Sequence, residues 1–207
     1  MLHEVLTSLD LRQPILVGHS WGGALALCYA LQYPRDVSAL ILVAPAAYPD
    51  RGESRLLQTM MKPPLLGDVA LIAGKSILGK HVLRSALARA FYPQPIPRGY
   101  FEMVAASWLG RKQVKAYLED ESSLNASLNT FSRRYPEIAA PVVIITGDQD
   151  QIVSAKENAY RLQTDIPNSH LIALNGIGHE IPQTHPESIY TALSLIRSDG
   201  GDDGSQK

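Results

Sequence analysis

A serine, a pair of aspartates and a histidine stand at three points of this sequence where predicted strands end. Ser20 is the centre of a G-x-S-x-G pattern, Asp148 and Asp150 follow one apolar segment, and His179 follows a later one. A serine hydroxyl is a poor nucleophile that needs a neighbouring base and amide donors for the developing oxyanion. These residue types in this order could therefore carry out nucleophilic acyl transfer.

The candidate nucleophile lies between a predicted strand and a predicted helix. Residues 15–17 form an apolar run that is too short for a helix and typical of a parallel strand covered on both faces. From Ala24 onward, apolar residues continue at helical spacing. A sharp strand-to-helix turn exposes the hydroxyl of Ser20 in a strained backbone, and Gly18 and Gly22 let strand and helix approach. This placement favours a nucleophile over a serine that merely caps a helix.

The other apolar segments predict a parallel sheet. Residues 37–43, 142–146 and 170–174 read as three further strands, and the first of these completes a strand–helix–strand unit. The carboxyl ends of parallel strands meet at one edge of a sheet, where open α/β folds gather their ligands. We therefore expect Ser20, the two aspartates and His179 to converge.

Helical patterns predict the rest of the chain. The predicted helices cover the apolar repeat Leu2, Val5, Leu6, Leu9 and residues 79–90, 98–108, 112–125, 154–164 and 184–196, the last two beginning with capping-box spacing at Ser154/Glu157 and Thr184/Glu187. This gives a core part at 1–45, a helical lid at 46–140, a second core part at 141–197 and a disordered tail at 198–207.

Composition excludes several classes of function. The 207 residues are 45% hydrophobic and 19% charged, with a formal net charge of −1 and no basic cluster, which argues against a nucleic-acid partner. No apolar run reaches the ~18 residues that span a bilayer, and the start of the chain lacks signal-peptide features. We expect a cytoplasmic protein with no transmembrane segment.

Metal and thiol chemistry are also not expected. No His-Glu-x-x-His segment or cysteine pair occurs, so the sequence predicts no metal and no cofactor. The single cysteine, Cys28, lies within the helix after Ser20, where a buried and inert thiol is expected.

The three chemical segments resemble those of a known family. Gly-His-Ser-Trp-Gly-Gly (18–23), Val-Ile-Ile-Thr-Gly-Asp-Gln-Asp (143–150) and Asn-Gly-Ile-Gly-His-Glu (175–180) are similar to the nucleophile, acid and histidine motifs of the α/β-hydrolase superfamily. The resemblance runs in order from residue 1 to about 197, but it is specific only at these three segments. It implies an α/β class with a partial α/β-hydrolase fold: a parallel sheet with a helical lid inserted between the second and third strands present.

The resemblance also implies roles for single residues. Ser20 is the nucleophile, His179 the general base and Asp150 the acid that orients it, with the backbone N–H of Trp21 as one oxyanion donor. Asp148 is expected to tie its own loop together, and Asp50 is a runner-up for the acid.

Other candidates have a plainer alternative. His19 is expected to be a packed residue at the end of its strand. An acyl pocket in the lid is assigned to Trp21, Met60, Tyr100, Met103 and Trp108, with Met61 and Phe101 as further wall residues; the alternative is that the lid residues pack the lid on itself.

The sequence departs from the superfamily before Ser20. The superfamily normally has about four strands ahead of the nucleophile strand, and the loop after the third supplies the second oxyanion N–H. This chain has room there for only part of a helix, so we expect the nucleophile strand to have an unpaired edge. We expect the 207 residues to be the carboxyl-terminal part of a longer hydrolase or a truncated gene product.

The resulting prediction is a serine hydrolase that cleaves a carboxylic ester or related acyl bond of a small molecule. A serine in place of an aspartate nucleophile disfavours dehalogenase and epoxide hydrolase chemistry. A carbon–carbon bond hydrolase or a haloperoxidase-like member would use the same three residues. An inactive truncated fragment, or a non-catalytic binding protein on the same fold, is the alternative from another class.

Overall fold

A four-stranded parallel sheet organises the chain in the computed structural model, which describes residues 1–49, 77–108 and 111–199. The strands are β1 (Ile15–His19), β2 (Ala39–Val43), β3 (Val142–Gly147) and β4 (Ser169–Leu174). They pair in the order β1-β2-β3-β4, and all three pairings are parallel. The predicted α/β class, the four strands and the parallel sheet are confirmed.

Helices pack around this sheet and overlap the predicted helical segments, but the segment predicted at 184–196 is divided between two helices. They are α1 (Leu2–Ser8), α2 (Trp21–Gln32), α3 (Ile77–Phe91), α4 (Tyr100–Trp108), α5 (Arg111–Phe131), a 3-10 helix (Ser132–Glu137), a π-helix (Lys156–Tyr160) continued by α6 (Arg161–Asp165), α7 (Ile181–Thr184) and α8 (Glu187–Asp199). The last helix extends three residues beyond its predicted end.

The two central strands alternate their side chains between two hydrophobic clusters. Leu40 and Leu42 of β2 pack with Leu27 of α2 on one face, whereas Ile41 and Val43 pack with residues of α8 on the other. Every residue of β2 and β3 is buried. A side chain of this size stabilises the fold by about 1.5–3 kcal/mol when fully buried, so these strands fix the frame that carries the site.

The nucleophile strand differs from its neighbours. Among the described strands β1 pairs with β2 alone, as expected for a strand at the sheet edge. Val17 remains 52% exposed, so the expectation that this strand is covered on both faces is wrong. Leu2 and Leu6 of α1 pack on the core, whereas Val5 and Leu9, which follows the helix, are exposed.

The two predicted helix starts differ in outcome: the first shows a capping-type contact, although the helix itself begins at Lys156 with Ala155 in the N-cap position. The Ser154 hydroxyl accepts the backbone N–H of Glu157 at 3.3 Å, as a capping serine does. The prediction at Thr184 is wrong, because its hydroxyl donates to the carbonyl of Glu180 at 2.9 Å and Thr184 closes α7. The short α7 uses the threonine as its own last residue, and α8 begins at Glu187.

Helices lie between β2 and β3 where a lid was predicted. In the described part of this interval, α3, α4 and α5 are helices and no strand occurs. The segment starts from a fixed point: Asn158 Oδ1 accepts the backbone N–H groups of Ala47 (2.9 Å) and Tyr48 (3.1 Å). Asp50, Met60 and Met61 lie outside the described residues, as does the tail from residue 200.

The described helices include none with the length and apolar character needed to cross a bilayer.

Candidate active site

Ser20 occupies a strained turn between β1 and α2. Its backbone has φ 54° and ψ −118°, outside the ordinary regions for an L-residue, and such a conformation costs about 1–3 kcal/mol. Neighbouring backbone holds it in place: Ser20 N–H donates to the carbonyl of Val43 at 3.0 Å, and its carbonyl accepts the N–H groups of Gly23 (2.9 Å) and Ala46 (3.1 Å). The end of β2 therefore maintains the turn that presents Ser20.

The glycines of the motif differ in what they permit. A Cβ at Gly18 would overlap the carbonyl oxygen of Gly22, and a Cβ at Gly23 would lie 2.7 Å from the Pro45 side chain. A Cβ at Gly22 would meet nothing within 4 Å. Close approach therefore requires Gly18, as predicted, together with Gly23 in place of Gly22.

Asp150 and His179 form a buried pair. His179 Nδ1 lies 2.8 Å from Asp150 Oδ2, and only 5% and 1% of the two side chains are exposed. The other carboxylate oxygen of Asp150 accepts the backbone N–H groups of Ile152 and Val153, both at 2.8 Å. A carboxylate at this distance is an acceptor, so Nδ1 of His179 carries the proton and Nε2 is the nitrogen that can act as a base.

Asp148 has a different role from Asp150. It is exposed, and its Oδ1 accepts the backbone N–H of Gly176 at 2.7 Å. Gly176 belongs to the loop after β4, so Asp148 ties the loop after β3 to the loop after β4. The predicted role was a hydrogen bond within the loop of Asp148 itself, and the observed contact differs from it. Asp150 is the aspartate that contacts His179.

The end of α3 supports the histidine loop. The N–H groups of His179 and Glu180 both donate to the carbonyl of Ala90, at 3.1 and 3.2 Å. A Cβ at Gly178 would overlap the carbonyl oxygen of Tyr92, so the chain can approach α3 only because residue 178 is glycine. On the α3 side these contacts are made by a backbone carbonyl, which any residue type provides, so the sequence of α3 does not reveal them. The glycine at position 178 is the only part of this contact whose residue type could have indicated it.

His19 connects the nucleophile strand to His179. Its Nε2 lies 3.0 Å from the backbone oxygen of His179, and the two rings are 4.8 Å apart between centroids. Burial, and then the charge of His179, lower the pKa of His19 to about 4. His19 lies at the end of its strand, as predicted, but the sequence did not indicate its contact with His179. Because Ser20 follows His19 directly, the turn and the Asp150–His179 pair lie side by side.

Residues around the pair provide a poorly solvated environment. Burial raises the pKa of Glu180; the charge of His179 opposes this rise and the charge of Asp150 adds to it. Tyr100 packs edge-on against Phe91, with 5.0 Å between ring centroids, and burial followed by the charge of Glu180 raises its pKa. Low dielectric strengthens charge interactions at such a site.

The other lid candidates are placed less closely. Met103 of α4 is 60% exposed. Met60 and the side chain of Trp108 lie outside the described residues, and Trp21 is half-buried at the start of α2. Their assignment to an acyl pocket stays a prediction.

Metal ligands and a reactive thiol do not accompany the site in the described ranges. No group of three His, Cys, Asp or Glu side chains there could hold a metal ion. Burial raises the pKa of Cys28 to about 11, which keeps this thiol protonated and weakly nucleophilic. The prediction of no cofactor is not tested by these observations.

The parallel four-stranded sheet with its flanking helices fits a partial α/β-hydrolase fold, and sequence comparison agrees. A family model described as alpha/beta hydrolase fold matches residues 1–186. The chain therefore belongs to the α/β-hydrolase fold family.

Individual relatives include lipases and hydrolases. The chain is 26% identical over 185 residues to the uncharacterized hydrolase YugF of Bacillus subtilis, covering 89% of this chain and 65% of that protein. It is 26% identical over 182 residues to Lipase 1 of Psychrobacter immobilis, covering 86% and 54%. A Synechocystis protein whose name suggests non-heme chloroperoxidase activity is 30% identical over 202 residues, covering 93% and 69%. The chain thus spans between about half and two thirds of the length of the first two relatives.

Solved structures share the fold. An esterase from Exiguobacterium antarcticum matches with a TM-score of 0.70 at 23% identity, over 95% of this chain and 71% of that one. A lipase-like protein of Acinetobacter baumannii matches with a TM-score of 0.73 at 22% identity, over 96% and 66%. At these identities the likeness concerns the fold alone.

Proposed function

We propose that this chain is the catalytic part of a serine hydrolase that cleaves a carboxylic ester or a related acyl bond of a small molecule. Ser20 is the nucleophile, His179 the general base and Asp150 the orienting acid. The observation that supports this most strongly is the buried 2.8 Å hydrogen bond between Asp150 and His179, next to the strained turn at Ser20. A base fixed by a buried acid beside a serine hydroxyl is the arrangement that activates serine.

The reaction follows from these roles. Ser20 Oγ attacks the ester carbonyl carbon, and its proton passes to Nε2 of His179. Asp150 stabilises the resulting imidazolium through the Nδ1–H bond. As the tetrahedral intermediate collapses, the bond to the leaving alkoxide breaks and His179 gives that oxygen the proton. Water then attacks the acyl-enzyme with His179 as base again, releasing the carboxylic acid and restoring Ser20.

The oxyanion would be stabilised by backbone at the start of α2. Trp21 is the first residue of that helix and directly follows Ser20. The positive end of the helix dipole lies at the same place. Trp21 N–H is therefore our proposed donor, and each such donor contributes about 10²–10³ in turnover.

Helices between β2 and β3 would form the lid and select the acyl group. The described helices α3, α4 and α5 lie between β2 and β3 in the chain, and the end of α3 contacts the histidine loop. Tyr100, Met103, Met60 and Trp108 are the proposed wall of the acyl pocket. Met103→Ala should raise KM for long-chain esters several-fold, whereas Val82→Ala on α3, also 60% exposed, should leave KM unchanged.

Turnover of p-nitrophenyl esters of graded acyl length tests the proposal. The wild-type chain should hydrolyse at least one of them, and Ser20→Ala should reduce kcat by a factor of at least about a thousand. Ser38→Ala is the matched control, since Ser38 is exposed and lies just before β2, at the opposite end of the sheet. Equal hydrolysis by wild type and Ser20→Ala would contradict the proposal.

The Synechocystis relative favours one second candidate, a haloperoxidase-like activity of the same three residues. There hydrogen peroxide would take the place of water, attack the acyl-enzyme and release a peracid that oxidises halide. Halide oxidation that requires peroxide and a carboxylic acid, without ester hydrolysis, would select this candidate. A folded chain that binds acyl ligands without turnover would instead be a binding protein or an inactive fragment. The cytoplasmic location and the absence of a nucleic-acid partner also stay predictions.

A further inference from the structure

The loop that carries His179 must cross the end of the sheet to reach Ser20. Ser20 follows β1, whereas His179 follows β4, and two strands lie between them. With neighbouring strands about 4.8 Å apart, β1 and β4 are separated by about 14 Å. The position of the imidazole relative to the hydroxyl therefore depends on what holds the loop at its far end.

Most supports of the loop come from the β3 and α3 side. Asp148 binds the N–H of Gly176, Asp150 binds the imidazole of His179, and the carbonyl of Ala90 binds two further N–H groups. From the β1 side, His19 Nε2 reaches the backbone oxygen of His179 at 3.0 Å. This hydrogen bond spans 160 residues of sequence and joins the residue before Ser20 to His179 itself.

The two histidines must hold opposite tautomers. A backbone carbonyl only accepts, so Nε2 of His19 carries its proton. The carboxylate of Asp150 also only accepts, so the proton of neutral His179 is on Nδ1. His19 is therefore a donor to the loop and leaves Nε2 of His179 available as the base.

His19 can do this without adding charge. Burial lowers the pKa of His19 to about 4, so this imidazole is neutral near neutral pH. A second imidazolium with its ring 4.8 Å away would oppose the charge that develops on His179.

We propose that His19 is a positioning residue, which holds the carbonyl of His179 and thereby sets its imidazole against the hydroxyl of Ser20. The inference rests on the proposed function for its effect on rate, while the hydrogen bond and tautomers can be tested without activity.

The rate at which a fluorophosphonate probe labels Ser20 measures the positioning. His19→Leu removes the donor, whereas His19→Gln places an amide N–H near the former Nε2. We expect labelling by His19→Leu to be about ten- to a hundred-fold slower than wild type, and His19→Gln to recover most of that loss. His170→Leu, an exposed histidine in β4, is the control and should label at the wild-type rate. Equal rates in wild type and His19→Leu, or no recovery in His19→Gln, would overturn the proposal.

Imidazole ¹⁵N NMR on the intact chain tests the same contact independently of reactivity. We expect the Nε2–H tautomer for His19 and the Nδ1–H tautomer for His179. The Nδ1–H resonance of His179 should be displaced in His19→Leu and retained in His19→Gln. A Nδ1–H tautomer at His19, or an unchanged His179 resonance in His19→Leu, would overturn the inference. If the wild-type chain never reacts with the probe, the proposed function fails, but these spectra still decide whether His19 holds the loop. If His19→Leu does not fold, the spectra of wild type and His19→Gln are sufficient for this decision.

Discussion

Asp150 binds the imidazole of His179 through one carboxylate oxygen, 2.8 Å from Nδ1, while its other oxygen accepts two backbone N–H groups. The aspartate is thus held on both sides and in turn fixes the ring. Asp150→Asn would present an amide to Nδ1 and favour the wrong tautomer of His179. We expect kcat for ester hydrolysis to fall by about 10³–10⁴ with little loss of folding stability, as measured by steady-state kinetics and urea unfolding.

Asp148→Asn is the matched control, since both residues lie in the loop after β3. Asparagine keeps an oxygen that can accept the N–H of Gly176, so kcat should stay within about three-fold of wild type. A larger loss in Asp148→Asn than in Asp150→Asn would contradict the assignment of the acid.

Gly178 is expected to be essential for the position of His179. Gly178→Ala would force its Cβ against the carbonyl oxygen of Tyr92 and push His179 away from α3. We expect probe labelling of Ser20 to fall more than about ten-fold, because small displacements of a catalytic group are costly. Gly176→Ala is the comparison: its φ is 70° and a Cβ there meets nothing within 4 Å, so it should cost about 1 kcal/mol of backbone strain with reactivity retained. Similar reactivity in both variants would show that the approach to Tyr92 does not position His179.

The glycines around Ser20 should respond with opposite signs. Gly18→Ala places a Cβ on the backbone of Gly22 and should destabilise the fold by several kcal/mol. Gly22 lies in α2 with open space around it, so Gly22→Ala should stabilise by about 0.5–1 kcal/mol through helix propensity. Urea unfolding of both variants measures the change in the free energy of unfolding. Equal destabilisation by Gly22→Ala and Gly18→Ala would contradict the close backbone approach at Gly18 and the open space at Gly22.

His19 predicts a pH dependence of stability. Its pKa is about 4 in the folded chain and about 6.5 when unfolded. As the pH falls through about 6.5, His19 takes up a proton in the unfolded chain but stays neutral in the folded chain. The part of the unfolding free energy that depends on His19 is therefore highest above about pH 6.5 and decreases steadily until about pH 4. The unfolding free energy should fall by about 2 kcal/mol more in wild type than in His19→Gln between about pH 7 and about pH 5. Parallel pH profiles for the two proteins would contradict the burial of a neutral His19.

The sheet could be predicted from sequence because its strands are short, continuous apolar runs. Residues 142–146 and 39–43 are buried on both faces, and such runs leave few alternatives. The same reasoning failed for the first strand, since Val17 belongs to an equally apolar run but is 52% exposed. Only the resemblance, through the missing upstream strands, predicted that this strand has an unpaired edge. Thr184 misled for a local reason, since capping-box spacing also fits a threonine whose hydroxyl donates one turn back.

The sequence predicted those parts of the candidate site in which the chemistry requires a particular side chain. It did not predict the contacts that are made by backbone groups. Ser20, Asp150 and His179 stood out by their types and order. The contacts of His179 with Ala90 and His19 are made by or to backbone carbonyls, which any residue provides. The His19 contact joins residues 160 positions apart, and only the assembled sheet reveals it.

Intact-mass and peptide analysis of the chain after exposure to a fluorophosphonate tests the central claim most directly. We predict one probe per chain, attached to Ser20, with labelling abolished in Ser20→Ala and strongly slowed in His179→Gln. Folded wild-type protein that remains unlabelled, or that labels equally well without His179, would contradict the proposed serine–histidine–aspartate chemistry.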